Sequence, residues 1–149
     1  MPLDGSAAAE AALPVALEMA TATGGQLVIL RVVTERFDRD PSPLDAALTR
    51  LREAEVYLRH IRDRIASEGK QVATFLWQGS PAAAIVKAVQ HYQIDVIVMT
   101  THGRTGREKE MFGSVAESVL AGITVPVVVV RPTGVVVRTP PGDAAPLPS

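Results

Sequence analysis

A chain of 149 residues has the length of one domain, and its 47% hydrophobic and 21% charged residues are typical of a globular protein. The formal net charge of −1 gives no basic excess, which argues against a nucleic-acid-binding protein. The absence of cysteine excludes disulfides, thiolate metal sites and cysteine nucleophiles.

No apolar run reaches the roughly 20 residues that span a bilayer. The Ala-rich start resembles a signal peptide only in composition, because it lacks a basic beginning and carries Glu10 and Glu18. We therefore expect a cytoplasmic protein that does not enter membranes. No pair of histidines or carboxylates has the spacing of metal ligands, so no metal site is expected.

Helical and strand patterns alternate along the chain. The helical segments place apolar residues at steps of three or four, and most strands are short, continuous apolar runs. In order, the sequence predicts a helix over residues 6–23, a strand over 26–33, a helix over 44–68, a strand over 72–77, a helix from 81, a strand over 96–99, a helix over 114–121 and a strand over 125–130. Such alternation predicts an α/β fold, a parallel sheet with helices on both faces.

Local signals refine this outline. Ser6 or Asp4 can cap the first helix, and Pro14 is expected to kink it. The mixed pattern of residues 72–77 predicts a strand near a sheet edge. We predict one domain over residues 1–131, followed by a C-terminal extension over 132–149 with a short strand at 135–138 and a Pro-rich flexible tail.

The segment from Thr100 to Ser114 is the strongest candidate for a site, because it leaves a buried strand and enters a helix. Ligands of open α/β sheets bind at the carboxyl ends of strands, and a helix N-terminus attracts phosphate. Gly103 and Gly113 allow the backbone to approach an anion, and Ser114 adds a hydroxyl donor. Positive charge comes from three nearby side chains: Arg104, Arg107 and Lys109.

A plainer interpretation of the same segment stays open. Glycines between a strand and a helix often serve as turn and cap residues, and Ser114 can be a cap alone. The segment also lacks the lysine of a P-loop. His102 can act as a base toward a γ-phosphate or can donate to a backbone carbonyl in a turn, the commoner role.

Several motifs together resemble the universal stress protein family over residues 2–131. Gly103, nine residues, then Gly113-Ser114 matches the second part of the family pattern Gly-x2-Gly-x9-Gly-[Ser/Thr], and Ser-Val-Ala-Glu follows. Further landmarks are Pro2-Leu3-Asp4-Gly5-Ser6, Leu30-Arg31-Val32-Val33, Gly79-Ser80-Pro81 and the run from Pro126 to Val130. The resemblance implies an open, Rossmann-like sheet of five parallel strands.

The resemblance also implies an adenine nucleotide, ATP or AMP, bound with or without Mg²⁺ across the ends of the first and fourth strands. By position, Asp4 would contact the nucleoside, Val32 would hold the adenine through its backbone, and Met99 would line the site. His102 and Arg104 lie within the matching loop, and four residues would surround ribose and phosphates: Gly103, Gly113, Ser114 and Val115. Thr100 stands where the pattern has its first glycine, so its side chain would either crowd the nucleotide or donate to it.

The first strand of this fold is shortened here, because only Met1 precedes Pro2. A buried central strand of about five apolar residues contributes on the order of 10 kcal/mol, comparable to the stability of a domain. Two hypotheses follow: the start of the protein lies upstream, or residues 135–138 of the same or a partner chain fill or extend the sheet.

The leading functional hypothesis is a stress-response regulatory protein that binds an adenine nucleotide with little or no turnover. The resemblance implies a homodimer joined through the last strand, since residues 125–130 would leave an apolar edge open. Two alternatives are an interaction module that binds no nucleotide and a weak ATP hydrolase that would use His102 or Asp4.

Overall fold

The computed structural model describes residues 1–34, 42–101 and 113–131, and the backbone of residues 134–138. The strands are β1 Pro2–Leu3, β2 Leu27–Val33, β3 Val72–Gln78, β4 Ile97–Thr100, β5 Val127–Arg131 and β6 Gly134–Arg138. The helices are α1 Ala7–Glu10, α2 Leu13–Thr23, α3 Pro43–Ser67, α4 Pro81–His91 and α5 Ser114–Gly122. In this described part, no helix is both long and apolar enough to cross a membrane.

The strands form two three-stranded sheets, with the orders β1-β2-β3 and β4-β5-β6. β1, β2 and β3 pair in parallel, β4 and β5 pair in parallel, and β6 pairs antiparallel to β5. β1 contacts β4 across the division between the sheets. The predicted α/β architecture with five parallel strands is confirmed, but these strands are hydrogen-bonded in two separate sheets, and β6 adds an antiparallel strand.

Helices cover both faces of the sheets. α1, α2 and α3 supply the first core cluster with residues such as Ala16, Leu58 and Ile61, which pack against Ile29 and Val128. α4 and α5 supply the second cluster on the opposite face. Neighbouring strand residues alternate between the clusters: Val128 and Val130 belong to the first, and Val127 and Val129 to the second. The prediction of helices on both faces is confirmed.

Pro14 has the expected effect on the first helical segment. The segment is divided into α1 and α2, and Pro14 lies within the first two positions of α2. A proline lacks the N–H that an interior helical position needs, whereas the first turn does not require it. α2 ends at Gly24, whose φ of 64° is left-handed.

β1 is only two residues long and pairs with Leu30 and Arg31 in the middle of β2. Before it, the amino group of Met1 donates to the carbonyl of Val28 over 2.7 Å. Burial disfavours the charged form of this amino group and lowers its pKa to about 5. A cavity of about 30 Å³ lies beside Met1 and is lined by apolar residues of β2 and α4 such as Val28 and Ile85. Met1 and β1 therefore bond to β2 between Val28 and Arg31.

The two outer strands differ from each other. β3 lies at an edge, and its residues from Val72 to Trp77 are all half-buried, which agrees with the predicted edge strand. The expectation that β5 has an open edge is wrong, because β6 pairs with β5 from Val127 to Arg131. β6 lies where the sequence predicted a short strand, and it extends the sheet at the end away from β1. The domain division at residue 131 stays a prediction, and residues 139–149 lie outside the described part.

Substitution of two adjacent glycines tests the left-handed end of α2. Gly24→Ala is expected to lower the free energy of unfolding by about 1 kcal/mol, because a left-handed conformation is unfavourable for residues with a Cβ. Nothing lies within 4 Å of a Cβ added at Gly24, so the effect would be conformational alone. Urea unfolding measures the change.

Gly25→Ala is the matched control. A Cβ there meets only the hydroxyl of Thr23, an exposed side chain that can rotate, so the expected change is within about 0.5 kcal/mol. Equal losses from the two substitutions would contradict the assignment of the left-handed end to Gly24.

Candidate functional site

The order of the strands creates a crevice between β1 and β4. From β1 the chain continues to β2 and β3 on one side, whereas β4 and β5 lie on the other side. α1, which follows β1, also contacts β4. In open α/β sheets, such a reversal of strand order at the carboxyl ends is where ligands bind. Asp4, just after β1, and Thr100, at the end of β4, therefore border the same crevice.

The ends of the suggestive loop meet at one hydrogen bond. The N–H of Gly113 donates to the carbonyl of Thr101 over 2.8 Å. Thr101 is only 3% exposed, and its own N–H donates to the carbonyl of Val130 over 3.4 Å. The end of β4 and the beginning of α5 are therefore held together against β5, whatever lies between residues 102 and 112.

Space at this junction explains why residue 113 is glycine. A Cβ added at Gly113 would lie 3.1 Å from the carbonyl oxygen of Thr101, closer than ordinary van der Waals contact. Because the neighbour is backbone, it cannot rotate aside as a side chain can. The glycine therefore permits the close approach of the two chain segments.

α5 begins with backbone N–H groups that no side chain of the described residues caps. Gly113 is the N-cap residue and makes no side-chain cap bond, and the helix continues with Ser114 and Val115, both exposed. The first N–H groups of a helix lack intrahelical acceptors and carry the positive end of the helix dipole. Glu117 places a negative charge in the first turn of α5. The hydroxyl of Ser118 donates to the carbonyl of Ser114. The N–H groups suit an anionic group placed before Ser114, and the carboxylate of Glu117 in the first turn opposes such a group.

Asp4 is held in a tight turn before α1. One of its carboxylate oxygens accepts from the N–H of Ser6 at 2.9 Å and from the hydroxyl of Ser6 at 2.6 Å. The hydroxyl of Ser6 in turn accepts from the N–H of Ala9 and caps α1. The two sequence candidates for the cap thus act together: Ser6 caps the helix, and Asp4 orients Ser6.

α1 is fixed to α3 by polar contacts of Glu10. The hydroxyl of Tyr57 donates to Glu10 over 3.0 Å, and Arg64 forms an ion pair with Glu10 at 2.8 Å. Burial, together with the Glu10 carboxylate, raises the pKa of Tyr57, so this phenol stays protonated as a donor. These contacts stabilise the segment that carries Asp4.

Val32 and Met99 lie in the second core cluster, 8% and 6% exposed respectively. Their side chains pack toward α4 and α5. A ligand at the carboxyl ends of the strands would therefore contact mainly the backbone of these two residues. Thr100 is half-buried at the last position of β4. Three predicted site residues, His102, Gly103 and Arg104, lie outside the described residues.

Two further residues border the site that sequence reasoning did not single out. Arg31, on β2, donates from Nη1 to the carbonyl of Leu3 at 3.4 Å, and its guanidinium lies beside Gly5. A positive charge therefore stands close to the turn of Asp4. Thr101 contributes through its carbonyl, a backbone role that its identity does not signal. The only available sign for Arg31 is its position as a charged residue inside an apolar strand.

A separate concavity formed by the described residues lies away from this crevice. It has a volume of about 800 Å³ and lies between α2 and the carboxyl end of α3, with Glu10, Arg64 and Lys70 among its lining residues. It is open to solvent and lies on the helical layer rather than at strand ends. No glycine-rich segment of the described chain lines it, so the crevice between β1 and β4 remains the better candidate.

Comparison with known proteins gives a consistent result. Residues 1–131 match the sequence profile of the Universal stress protein family. A putative universal stress protein of Staphylococcus aureus is 32% identical over 133 residues, which cover 87% of this chain and 80% of the relative. A universal stress protein of Methanocaldococcus jannaschii is 35% identical over 79 residues, but this match spans 46% of the relative, about half its length.

Solved structures agree with the sequence comparison. The universal stress protein UspA from Lactobacillus plantarum superposes with a TM-score of 0.77 at 26% identity, covering 87% of this chain and 94% of that one. A universal stress protein from Burkholderia pseudomallei gives a TM-score of 0.66 at 26% identity, with 87% and 91% coverage. The fold is therefore shared along most of both chains.

Enlarging residue 113 tests the junction between β4 and α5. Gly113→Val is expected to lower the free energy of unfolding by about 1–3 kcal/mol, because the added atoms press on the Thr101 carbonyl. Hydrogen exchange of the amide at position 113 should accelerate at the same time, since its bond to Thr101 is weakened.

Ala121→Val is the control on the same helix, because Ala121 is exposed and lies in its last turn. It should change stability by no more than about 0.5 kcal/mol and leave exchange at Gly113 unaltered. Unchanged exchange at position 113 in Gly113→Val would show that the bond does not hold the loop closed.

Proposed function

The chain belongs to the universal stress protein family, and we propose that it is a regulatory protein that binds an adenine nucleotide, ATP or AMP, with little or no turnover. The observation that carries this proposal is the junction of β4 and α5. There the Thr101–Gly113 hydrogen bond brings a helix start, capped by no side chain of the described residues, to the crevice beside β1. Exposed N–H groups at a helix start are a common binding site for phosphate.

In this proposal the parts of the nucleotide lie along the carboxyl edge of the strands. The phosphates lie before α5, near Gly113, Ser114 and Val115. The adenine lies over the backbone of Val32, whose side chain is occupied in the core. The ribose lies between these points and Asp4, whose carboxylate is oriented by Ser6.

The loop of residues 102–112 supplies the remaining groups in this proposal. His102, Gly103 and Arg104 would complete the phosphate site, and Mg²⁺ would accompany a triphosphate. Thr100 takes the position of a family glycine, and its hydroxyl would donate to the ligand rather than exclude it. Met99 supports the floor of the site from the core.

One solved universal stress protein is described as a complex with cAMP, an adenine nucleotide. At 22% identity and a TM-score of 0.57, this likeness carries the fold alone. The proposal for this chain therefore rests on its own residues. The further elements of the proposal are a role in the stress response, a homodimer joined through the last parallel strand, β5, and a cytoplasmic location predicted from the sequence.

Calorimetric titration with ATP and Mg²⁺ tests the proposal. The wild-type chain should bind one nucleotide, and Gly113→Val should weaken binding at least tenfold, because its new side chain displaces the backbone donors of α5. Ala121→Val should bind as the wild type does. A folded wild-type protein that gives no heat with ATP or AMP would refute nucleotide binding and favour the interaction module.

Measurement of phosphate released from ATP distinguishes the hypothesis of a regulatory protein from that of a weak hydrolase. The proposal predicts no release above the buffer rate over hours with saturating MgATP. Release that is lost in both His102→Ala and Asp4→Ala would instead identify an ATP hydrolase. Mass spectrometry of small molecules released from the purified protein identifies which nucleotide it carries.

A further inference from the structure

The edge of β5 lies where the match to the family profile ends. The family profile ends at residue 131, which is the last residue of β5, and β6 begins three residues later at Gly134. β6 pairs with β5 along its full length, from Val127↔Arg138 to Arg131↔Gly134. A strand beyond the matched residues therefore covers the edge of β5.

β5 would be a strongly apolar edge without this cover. Its four valines, Val127 to Val130, are between 0% and 5% exposed with β6 in place. An unpaired strand of this kind presents a row of free N–H and C=O groups and is a template for pairing with another chain. A second copy of this chain carries the same strand and can pair with it antiparallel about a two-fold axis.

β6 is a short strand that contacts little of the described fold apart from β5. It has five residues, and its main contacts are with β5. In the sequence, Pro132 precedes it and Pro140 follows shortly after its end, and proline cannot continue a ladder of backbone hydrogen bonds. Its advantage over a second copy is the short connection to β5, which gives an effective concentration in the millimolar range.

We propose that β6 competes with a second copy of this chain for the edge of β5, so that β6 keeps the protein monomeric and its release permits dimerisation through β5. This inference rests on the homodimer of the proposed function and adds the contact within one chain, β6 on β5, that keeps its interface covered until β6 is released. At micromolar concentration the intramolecular pairing should prevail, and the dimer should appear when β6 is weakened or the concentration approaches the millimolar range.

Proline substitution in full-length protein weakens the cover. Val136, which lies opposite Val129, is in the middle of β6. Val136→Pro should move the mass measured by light scattering at micromolar concentration from 15.8 kDa to twice that value. Ala144→Pro, beyond β6, is the control and should remain at the monomer mass. A Val136→Pro protein that stays monomeric up to millimolar concentration would overturn the proposal.

A disulfide that locks the cover gives the complementary test, and it does not depend on weakening the fold. Val130 and Val135 are paired across the ladder, at a Cα separation that suits a disulfide, and the chain has no other cysteine. Oxidised Val130→Cys/Val135→Cys should be an internally crosslinked monomer at every concentration. Reduction should restore the concentration dependence of the wild type, and Val130→Cys alone should not respond.

Three results of the disulfide experiment would contradict the proposal. A locked protein that dimerises as readily as its reduced form would place the interface elsewhere. Crosslinks only between chains would show that β6 is exchanged rather than released, and no crosslink at all would show that β6 does not cover β5. Because none of these readouts needs a ligand, failure of nucleotide binding would leave them interpretable.

Discussion

The hydrogen bond between the N–H of Gly113 and the carbonyl of Thr101 is the contact on which the candidate site depends. It joins the end of one parallel strand to the start of a helix and fixes where the helix dipole points. Thr101 can serve as the acceptor because it is buried and anchored to β5 through Val130. A side chain at position 113 would press on the carbonyl of Thr101 and push the two segments apart. The close approach that forms the candidate site therefore depends on a glycine at this position.

The other side of the crevice is built on a short strand with strong local anchoring. β1 contributes only two residues, yet Asp4, which follows it, is ordered by Ser6 and by α1. α1 is itself tied to α3 through Glu10, so the position of Asp4 does not depend on a long first strand. This explains how the crevice keeps a carboxylate even though the hydrogen-bonded sheet is divided between β1 and β4.

The sequence predicted the elements and the layers well because these follow from local chemistry. The apolar stripe of α3, for example, buries Ala54, Leu58, Ile61 and Ile65, as its period of three and four residues requires. Pro14 divides the first helical segment because proline lacks the N–H that an interior helical position needs. The family resemblance, carried by a few glycines and short motifs, agrees with both kinds of comparison.

The features that the sequence did not predict depend on contacts between residues that are distant in the chain or on backbone groups. Thr101 acts through its carbonyl, Arg31 lies near Asp4 only because β2 is parallel to β1, and the covering of β5 depends on which edge β6 joins. Val32 was assigned to the site through its backbone and Met99 as a lining residue. Alternation along the strands sends both side chains to the core, and both roles stay predictions. Periodicity indicates which residues are buried, whereas it does not indicate which backbone groups remain available to a ligand.

Amide chemical shifts recorded by NMR during titration with MgATP test the central claim most directly. If the phosphates bind at the junction of β4 and α5, the largest changes will occur at the amides of Gly113 to Ala116, with smaller ones near Asp4 and Val32. Shifts confined to the groove between α2 and α3, or no shifts at saturating nucleotide, would contradict it.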